Sequence, residues 1–216
     1  LSSLQEFSPS TEALLDTLGQ DGIARLTNFG AMAYVPHGKG VRLVQVSAVA
    51  GPYPFYGEVA TAPAEAWHTL QHGAFAVVDS TLLTSLGLHL GDTLALGDGR
   101  FVLTGSIVRA PGDAGVRSAL GPRVFIPARY LASTGLVSFG ARVEREAFIR
   151  LAPGRAAEAI AEHYRPLLRG QRVRVGLDSM DAVQKRLQFS ILEDGAGGAP
   201  ALGGRGERAA ARRSRL

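Results

Sequence analysis

The chain has 216 residues, of which 46% are hydrophobic, and it carries a formal net charge of +4 and no cysteine. This composition is typical of a globular fold and excludes disulfides and thiolate metal sites. The excess positive charge lies in the last stretch, GRGERAAARRSRL, which contains five arginines and one acidic residue, Glu207. Residues 1–204 are therefore formally neutral, which argues against a nucleic-acid surface on the fold. No apolar run approaches the roughly 20 residues that cross a membrane.

The first third predicts one helix followed by a hairpin. Ser8 before Pro9 is typical of a helix start, and Gly19 of a helix end. Two apolar runs, 23–35 and 41–50, predict strands joined by a turn over PHGKG.

The middle third predicts two short helices among several strands. Pro63 opens the helix PAEAWHTLQ, and Asp79 caps a helix over 80–86 that ends at Gly87. The strands share short apolar runs bounded by turn residues, and they cover 74–78, 93–96, 100–108 and 123–127. The sequence GDG between the second and third of these runs predicts a tight hairpin.

The last third alternates strands and helices. Its predicted elements are a strand over 146–151, a helix over 154–170 interrupted near Pro166, a strand over 172–176 and a helix over 180–189. The sequence thus predicts an α+β fold of two lobes. A lobe of βαβ-type elements takes both chain ends, 1–62 and 145–190, and a β-rich lobe takes 63–144. A disordered tail, 191–216, is expected from its Gly, Ala and Arg content.

Motifs of catalysis or nucleotide binding are missing, since the chain has no G-x-S-x-G, Walker A or H-E-x-x-H sequence. His68 and His72 have a spacing that can place two metal ligands on one helix face, but a third ligand is not evident. Asp79, Ser80 and Thr81 could hold a nucleophile, yet a helix N-cap is the commoner role of such a sequence.

Three arginines lie around a Gly- and Pro-rich loop over 110–122, namely Arg109, Arg117 and Arg123. They could bind an anion, although solvated loop bases are the commoner case. We therefore predict no catalytic residue, no cofactor and no metal site.

The stretch GPYPFYGEV, residues 51–59, is unusually stiff and apolar for a loop. Tyr53, Phe55 and Tyr56 lie among two prolines and Gly57, which restrict the backbone or permit a turn. One hypothesis is an internal anchor where the first lobe passes to the second. The other is an exposed patch that faces a partner subunit or an acyl chain.

The order of segments resembles the periplasmic core domain of MacB/FtsX-type ABC transporter permeases. AFAVVDSTLLTSLGLHLGDTLALGDGRFVLTGSIVR is similar to the strand, helix and hairpin at the centre of that domain, and RVFIPARYL to the segment after it. EAFIRLAPGRAAEAIAEHYRPLLRGQRVRVGLDSMDAVQKRL resembles the strand–helix–strand unit that returns towards the membrane. LVQVSAVAGPYPFYGEV resembles the branch of predicted permeases found beside lysophospholipase-type esterases.

This resemblance implies a non-catalytic domain outside the cytoplasmic membrane, with lobes like the Porter and Sabre lobes of the family. A separate cytoplasmic ATPase subunit would drive it, acting through the full-length permease. The implied role is export or extraction of an amphipathic or lipid-like cargo. A second permease copy and a periplasmic esterase are further partners that the resemblance suggests. The alternative is a free-standing soluble binding or scaffold protein on the same fold.

Overall fold

The protein has a mixed α+β fold, which confirms the predicted class. The computed structural model describes residues 1–36, 40–55, 57–111, 121–137, 141–151, 157–168, 171–175 and 189–191. The strands are β1 (Ser2–Ser3), β2 (Ile23–Tyr34), β3 (Val41–Ala50), β4 (Ala60–Ala62), β5 (Phe75–Asp79), β6 (Thr93–Leu96), β7 (Gly99–Arg109), β8 (Arg123–Pro127), β9 (Val143–Ile149), β10 (Val173–Val175) and β11 (Phe189–Ile191). The helices are α1 (Pro9–Leu18), α2 (Ala66–Thr69), α3 (Ser80–Leu86) and α4 (Ala157–Tyr164). Short 3₁₀ turns cover Gly19–Asp21, Leu70–His72, Ala128–Tyr130, Ala132–Thr134 and Arg165–Leu168.

Six of the strands pair in a closed ring, so the sheet curls into a barrel. The hairpin of β2 and β3 is antiparallel, β3 runs parallel to β8, and β8 runs antiparallel to β5. Strand β5 runs parallel to β7, and β7 forms an antiparallel hairpin with β6. Strand β6 closes the ring by pairing with the far end of β2. Strands β9 and β1 continue the sheet outward from β2, and β4 continues it from β7.

One hydrophobic cluster fills the ring, because alternate residues of each strand point inward. Phe101 and Leu103 of β7 are each 1% exposed, and Val44 and Val46 of β3 are fully buried. Leu82 of α3 packs against the same cluster. The interior is therefore a packed core.

Two short ladders join the ring into one barrel. Strands β2 and β6 pair at Ala33–Leu96 and Tyr34–Ala95, and β5 and β8 pair at Val77–Phe125 and Val78–Val124. The hydroxyl of Tyr34 reinforces the first ladder by donating to the carbonyl of Gly97 at 3.0 Å. The ring thus consists of two three-stranded halves, β2–β3–β8 and β5–β7–β6.

A second hydrophobic cluster covers part of the outer face of the ring. Leu26, Val49 and Phe125 point outward from β2, β3 and β8, and they meet Ala66 and Leu70 of the α2 region. Ala66 and Leu70 are each 1% exposed. The α2 region therefore lies firmly against the barrel.

The two ends of the described fold meet at β1. The amide of Ser2 donates to the carbonyl of Arg172 at 2.8 Å, and the amide of Arg172 donates to the carbonyl of Ser2 at 2.9 Å. The amino group of Leu1 donates to the carbonyl of Ala147 at 2.8 Å. The barrel joins strands from 1–62 with strands from 63–144, and the predicted lobe boundaries stay a prediction.

Most local predictions from the sequence are confirmed. The hairpin of β6 and β7 turns at Gly97 and Asp98, and α3 ends at Gly87. The side chain of Ser8 caps α1 by accepting the amide of Thr11 at 3.2 Å.

One strand was missed, and two local predictions are wrong. Strand β4 was not predicted, because three residues before Pro63 carry too little pattern. Helix α2 begins at Ala66 rather than Pro63, since a turn in which the amide of Ala66 donates to the carbonyl of Pro63 comes first. Phe189 lies in β11, where it pairs with Val175, and not in a helix. Ile191, the first residue of the tail predicted over 191–216, lies in β11. The rest of that predicted helix and residues 192–216 lie outside the described residues.

Among the residues that the structure describes, no helix is both long and apolar enough to span a bilayer.

Candidate functional site at the aromatic loop

The aromatic loop (residues 51–59) follows β3 and is held by the α2 region. The indole nitrogen of Trp67 donates to the carbonyl of Tyr53 at 3.2 Å, and the side-chain amide of Gln71 donates to the carbonyl of Gly51 at 2.8 Å. Gly51 has φ +77°, and a Cβ there would lie 2.4 Å from the carbonyl oxygen of Ile23. Glycine is therefore required where the loop leaves the sheet.

Tyr53 belongs to a row of four aromatic rings on the outer face of the barrel. Its ring centre lies 5.3 Å from that of Phe148 and 6.3 Å from that of Trp67. Trp67 in turn lies edge-on to Phe125 at 5.1 Å. These separations are those of favourable aromatic pairs, each stabilising by about 0.5–1.5 kcal/mol beyond its buried area. The row links β9, the loop, α2 and β8.

Phe55, at the middle of the loop, packs against another part of the fold. A Cβ on Gly22 would lie 3.2 Å from Cε1 of Phe55, so the ring rests against the chain between α1 and β2. The guanidinium carbon of Arg150 lies 5.1 Å from the centre of the same ring, in cation–π geometry. Tyr56 lies outside the described residues. A partner or cargo surface formed by Tyr53, Phe55 and Tyr56 stays a prediction.

Replacing Tyr53, Phe55 and Tyr56 together with alanine is expected to lower the melting temperature by many degrees. The variant loses the rings that contact Trp67, Phe148 and Arg150. If the free energy of unfolding falls by about 2 kcal/mol, the melting temperature of a chain of this size falls by roughly 4–8 °C. Differential scanning calorimetry measures it, with Leu90→Ala, a 46% exposed leucine outside the loop, as the control. An unchanged melting temperature contradicts the anchor hypothesis.

Asp79 acts as a helix cap. Its Oδ1 accepts the amide of Thr81 at 2.9 Å and the hydroxyl of Thr81 at 2.7 Å. The carboxylate is therefore committed to the start of α3, which is the structural role that the sequence favoured over a nucleophile.

The other candidates from the sequence lie apart from one another. His68 and His72 are both exposed, and the described residues contain no group of three or more metal-ligating side chains. Arg109 of β7 pairs with Glu58 of the aromatic loop, and the guanidinium of Arg123 lies 5.7 Å from the ring centre of Phe125. Arg117 lies outside the described residues.

Sequence reasoning missed the partners of the aromatic loop. Phe148 and Arg150 approach it from the end of β9, which is distant along the chain. Trp67 could have been suspected, because a lone tryptophan usually packs and finds an acceptor for its indole N–H.

No protein-family model and no curated protein matches this chain. Among solved structures, it is similar to a domain of a protein described as a permease from Porphyromonas gingivalis, at 16% identity and a TM-score of 0.43. That match covers 69% of this chain and 63% of the other, so this chain spans less than two thirds of the length of that structure.

Two further similar structures come from ABC-type transporters. One is the periplasmic region of MacB from Actinobacillus actinomycetemcomitans, with 14% identity, a TM-score of 0.42, and coverage of 73% of this chain and 72% of the other. The other is the extracellular domain of the noncanonic ABC-type transporter YknZ from Gram-positive bacteria, with 11% identity, a TM-score of 0.46, and coverage of 76% and 81%. The structural neighbours of this chain thus include periplasmic and extracellular domains of MacB-like and YknZ-like ABC transporters, the family that its sequence resembles.

Proposed function

We propose that this chain is the non-catalytic extracytoplasmic domain of an ABC transporter permease. In this role it couples ATP hydrolysis on the cytoplasmic side to the export or extraction of an amphipathic or lipid-like cargo. The domain does so mechanically, by moving with the membrane helices to which it is connected.

The meeting of the two ends of the fold carries this proposal. Ser2 and Arg172 exchange two backbone hydrogen bonds, so the entering strand and the returning segment lie side by side. A domain with adjacent entry and exit can be inserted between two membrane helices without either connection crossing the fold. Both connections can then move together when the helices move.

The resemblance of the sequence supports the same role. The segments that resemble the family include most of β3, all of β5 to β8 with α3, and parts of the chain that form β9, α4 and β10, so they contribute to five of the six ring strands. The resemblance therefore covers most of the barrel.

The proposed setting is the cytoplasmic membrane, with this domain facing the periplasm or the cell exterior. The proposed partners are an ABC ATPase subunit on the inner side and a second permease copy. The lipid-like cargo and a periplasmic esterase are the finer part of the proposal, drawn from the branch that LVQVSAVAGPYPFYGEV resembles.

The first test is the DNA sequence on both sides of this coding segment. An apolar run of about 20 residues before Leu1, with further such runs after the region of Phe189, is the expected result. Flanks without apolar runs contradict the proposal and favour a free-standing binding or scaffold protein.

The second test measures movement in the full permease with its ATPase. This domain contains no cysteine, so Ala132→Cys and Glu158→Cys, both exposed, introduce two labelling sites in it, after any cysteines elsewhere in the permease and the ATPase are replaced with serine. Spin labels there are expected to change their distance distribution when ATP and Mg²⁺ are added in lipid nanodiscs. ADP is the control. Identical distributions in both nucleotides, within one domain and between the domains of the two permease copies, contradict mechanical coupling through this domain.

A further inference from the structure

The six ring strands form two units that repeat the same order of elements along the chain. The first unit contains the hairpin β2–β3 followed by β5, and the second contains the hairpin β6–β7 followed by β8. Each third strand runs parallel to the second strand of the other unit, since β5 pairs with β7 and β8 with β3. The two remaining ladders join matching strands, β2 with β6 and β5 with β8. The pairing pattern is therefore unchanged when the two units are interchanged.

The register of the pairing agrees with this interchange. In the first hairpin Ala31 pairs with Val44. In the second hairpin Leu94 pairs with Phe101 in the same way. Six pairs of matching residues, all in the cluster that fills the ring, follow from the ladders: Ala31 and Leu94, Ala33 and Leu96, Val44 and Phe101, Val46 and Leu103, Val124 and Ala76, and Ile126 and Val78. The two units thus turn the same positions towards the interior.

Both short ladders of the ring lie on a twofold axis that relates the two units. Where such an axis passes between two strands, a residue pairs with its own counterpart. Ala33 pairs with its counterpart Leu96 in the β2–β6 ladder. Val77, next to Ala76, pairs with the counterpart residue Phe125 in the β5–β8 ladder. Two ladders on opposite sides of the ring therefore agree on one axis.

The segments that lead into the third strands match as well. The amide of Val102 donates to the carbonyl of Ala74, just before β5, at 2.9 Å. The amide of Gln45 donates to the carbonyl of Pro122, just before β8, also at 2.9 Å. These two bonds are counterparts, and neither belongs to a turn that local sequence dictates.

The segments that follow the third strands have the same length and the same end. After β5 the chain forms α3 and ends at Gly87, with φ +63°. After β8 it forms two 3₁₀ turns and ends at Gly135, with φ +65°. The two sequences, STLLTSLG and ARYLASTG, share Leu, Ser and Gly at the same places. The shared leucines, Leu83 and Leu131, both pack against the cluster inside the ring.

The units differ at one bulge and in one connection. The register of β5 against β7 shifts after Ala76, where Thr104 is the extra residue of β7. The connection between the second and third strands contains β4 and α2 in the first unit, whereas residues 110–122 form the shorter connection in the second. Both differences lie outside the matched core positions.

We infer that the barrel is an internal duplication of one unit, in which each unit is completed by the third strand of the other. This is the arrangement of a symmetric dimer whose two protomers are joined in one chain. The half β2–β3–β8 and the half β5–β7–β6 each contain strands of both units, so neither unit can form its half of the barrel alone. The inference does not depend on the proposed transport function.

The equivalence of the two units is tested by exchanging core residues across the axis. Val78 pairs with Val124 on one side of the Val77–Phe125 pair, and all four substituted residues are fully buried. The exchanged variant gives each position the residue of its counterpart: Ala76→Val, Val78→Ile, Val124→Ala and Ile126→Val. The reversed variant has the same composition and the same volume on each side, but its Ala and Ile stand on the opposite strands: Ala76→Val, Val78→Ala, Val124→Ile and Ile126→Val.

The exchanged variant is expected to have a urea midpoint higher than that of the reversed variant by about 0.5 M or more. The reason is that rotation about the axis carries the exchanged side chains into pockets of matching shape, whereas the reversed side chains meet the wrong strand. A reversed variant that is as stable as the exchanged one, or more stable, overturns the inference.

The exchange of third strands is tested by cutting the full chain between the two units. A protease recognition sequence is inserted between His89 and Leu90, which are both exposed. After cleavage the two pieces are expected to elute together in size-exclusion chromatography, because each half of the barrel holds strands from both pieces.

The control carries the same insertion between Arg150 and Leu151. The piece that begins at Leu151 contributes no strand to the ring, so it should separate from the rest at a lower urea concentration. Pieces of the first cut that separate at the same or a lower urea concentration than those of the control overturn the inference.

Discussion

Replacing Gly105 with valine is expected to lower the free energy of unfolding by about 3 kcal/mol or more. A Cβ on Gly105 of β7 would lie 2.4 Å from the Cβ of Ala66, which is 1% exposed at the start of α2. The added side chain must push α2 away from the sheet, and Trp67 moves with it. Urea denaturation followed by the fluorescence of Trp67, the single tryptophan, measures the change.

Gly30→Val is the matched control, because it places the same side chain on a strand glycine with open space above it. Its free energy of unfolding should be unchanged or higher, since valine favours a strand more than glycine does. Equal losses in the two variants would show that the backbone freedom of glycine matters here, and not the contact with Ala66.

Replacing Phe101 with alanine is expected to cost about 3–5 kcal/mol of a total stability of about 5–15 kcal/mol. Phe101 is 1% exposed inside the barrel, and its ring lies edge-on to Tyr130 at 6.3 Å. The cavity would open in the cluster to which all six ring strands contribute. A lower urea midpoint with an unchanged slope is the expected signature.

Val102→Ala tests the inward and outward alternation of β7 in the same experiment. Val102 is the next residue, 39% exposed on the outer face, and its truncation should cost less than about 1 kcal/mol. Similar losses for Phe101→Ala and Val102→Ala would contradict the assignment of the two faces.

Local structure could be predicted where the deciding residues are neighbours in sequence. Asp79 caps α3 through Thr81, and Gly97 with Asp98 turns the β6–β7 hairpin, because these contacts need only the adjacent residues. Strand β11 could not be predicted, since its pairing with β10 depends on residues well upstream.

The closed ring could not be predicted either, although its strands could. The ladder of Ala33 with Leu96 joins segments that no turn connects, and it follows from the register and curvature of the whole sheet. Two lobes were predicted because the pattern of apolar runs and turn residues changes near residues 62 and 145. That pattern does not show which strands from different segments of the chain pair with each other.

The aromatic loop could be identified from its composition, but its surroundings could not. Tyr53 meets Phe148 because β9 lies beside β2, which is a property of the strand order. The exposure of Met32 and Leu43 could not be predicted for another reason. Apolar residues on both faces of β2 and β3 are typical of fully buried strands, so Met32 and Leu43 were not recognised as exposed.

The two short ladders have a consequence for how the barrel deforms. Each three-stranded half is held by longer ladders, whereas the halves meet only along β2–β6 and β5–β8. We therefore expect bending to concentrate along these two lines, which lie on opposite sides of the ring. The hydroxyl of Tyr34, which donates to the carbonyl of Gly97, adds one hydrogen bond across the β2–β6 ladder. Amide hydrogen exchange should accordingly be faster at Ala95 and Val77 than at Val46, as expected when a fold opens along its least-paired boundaries.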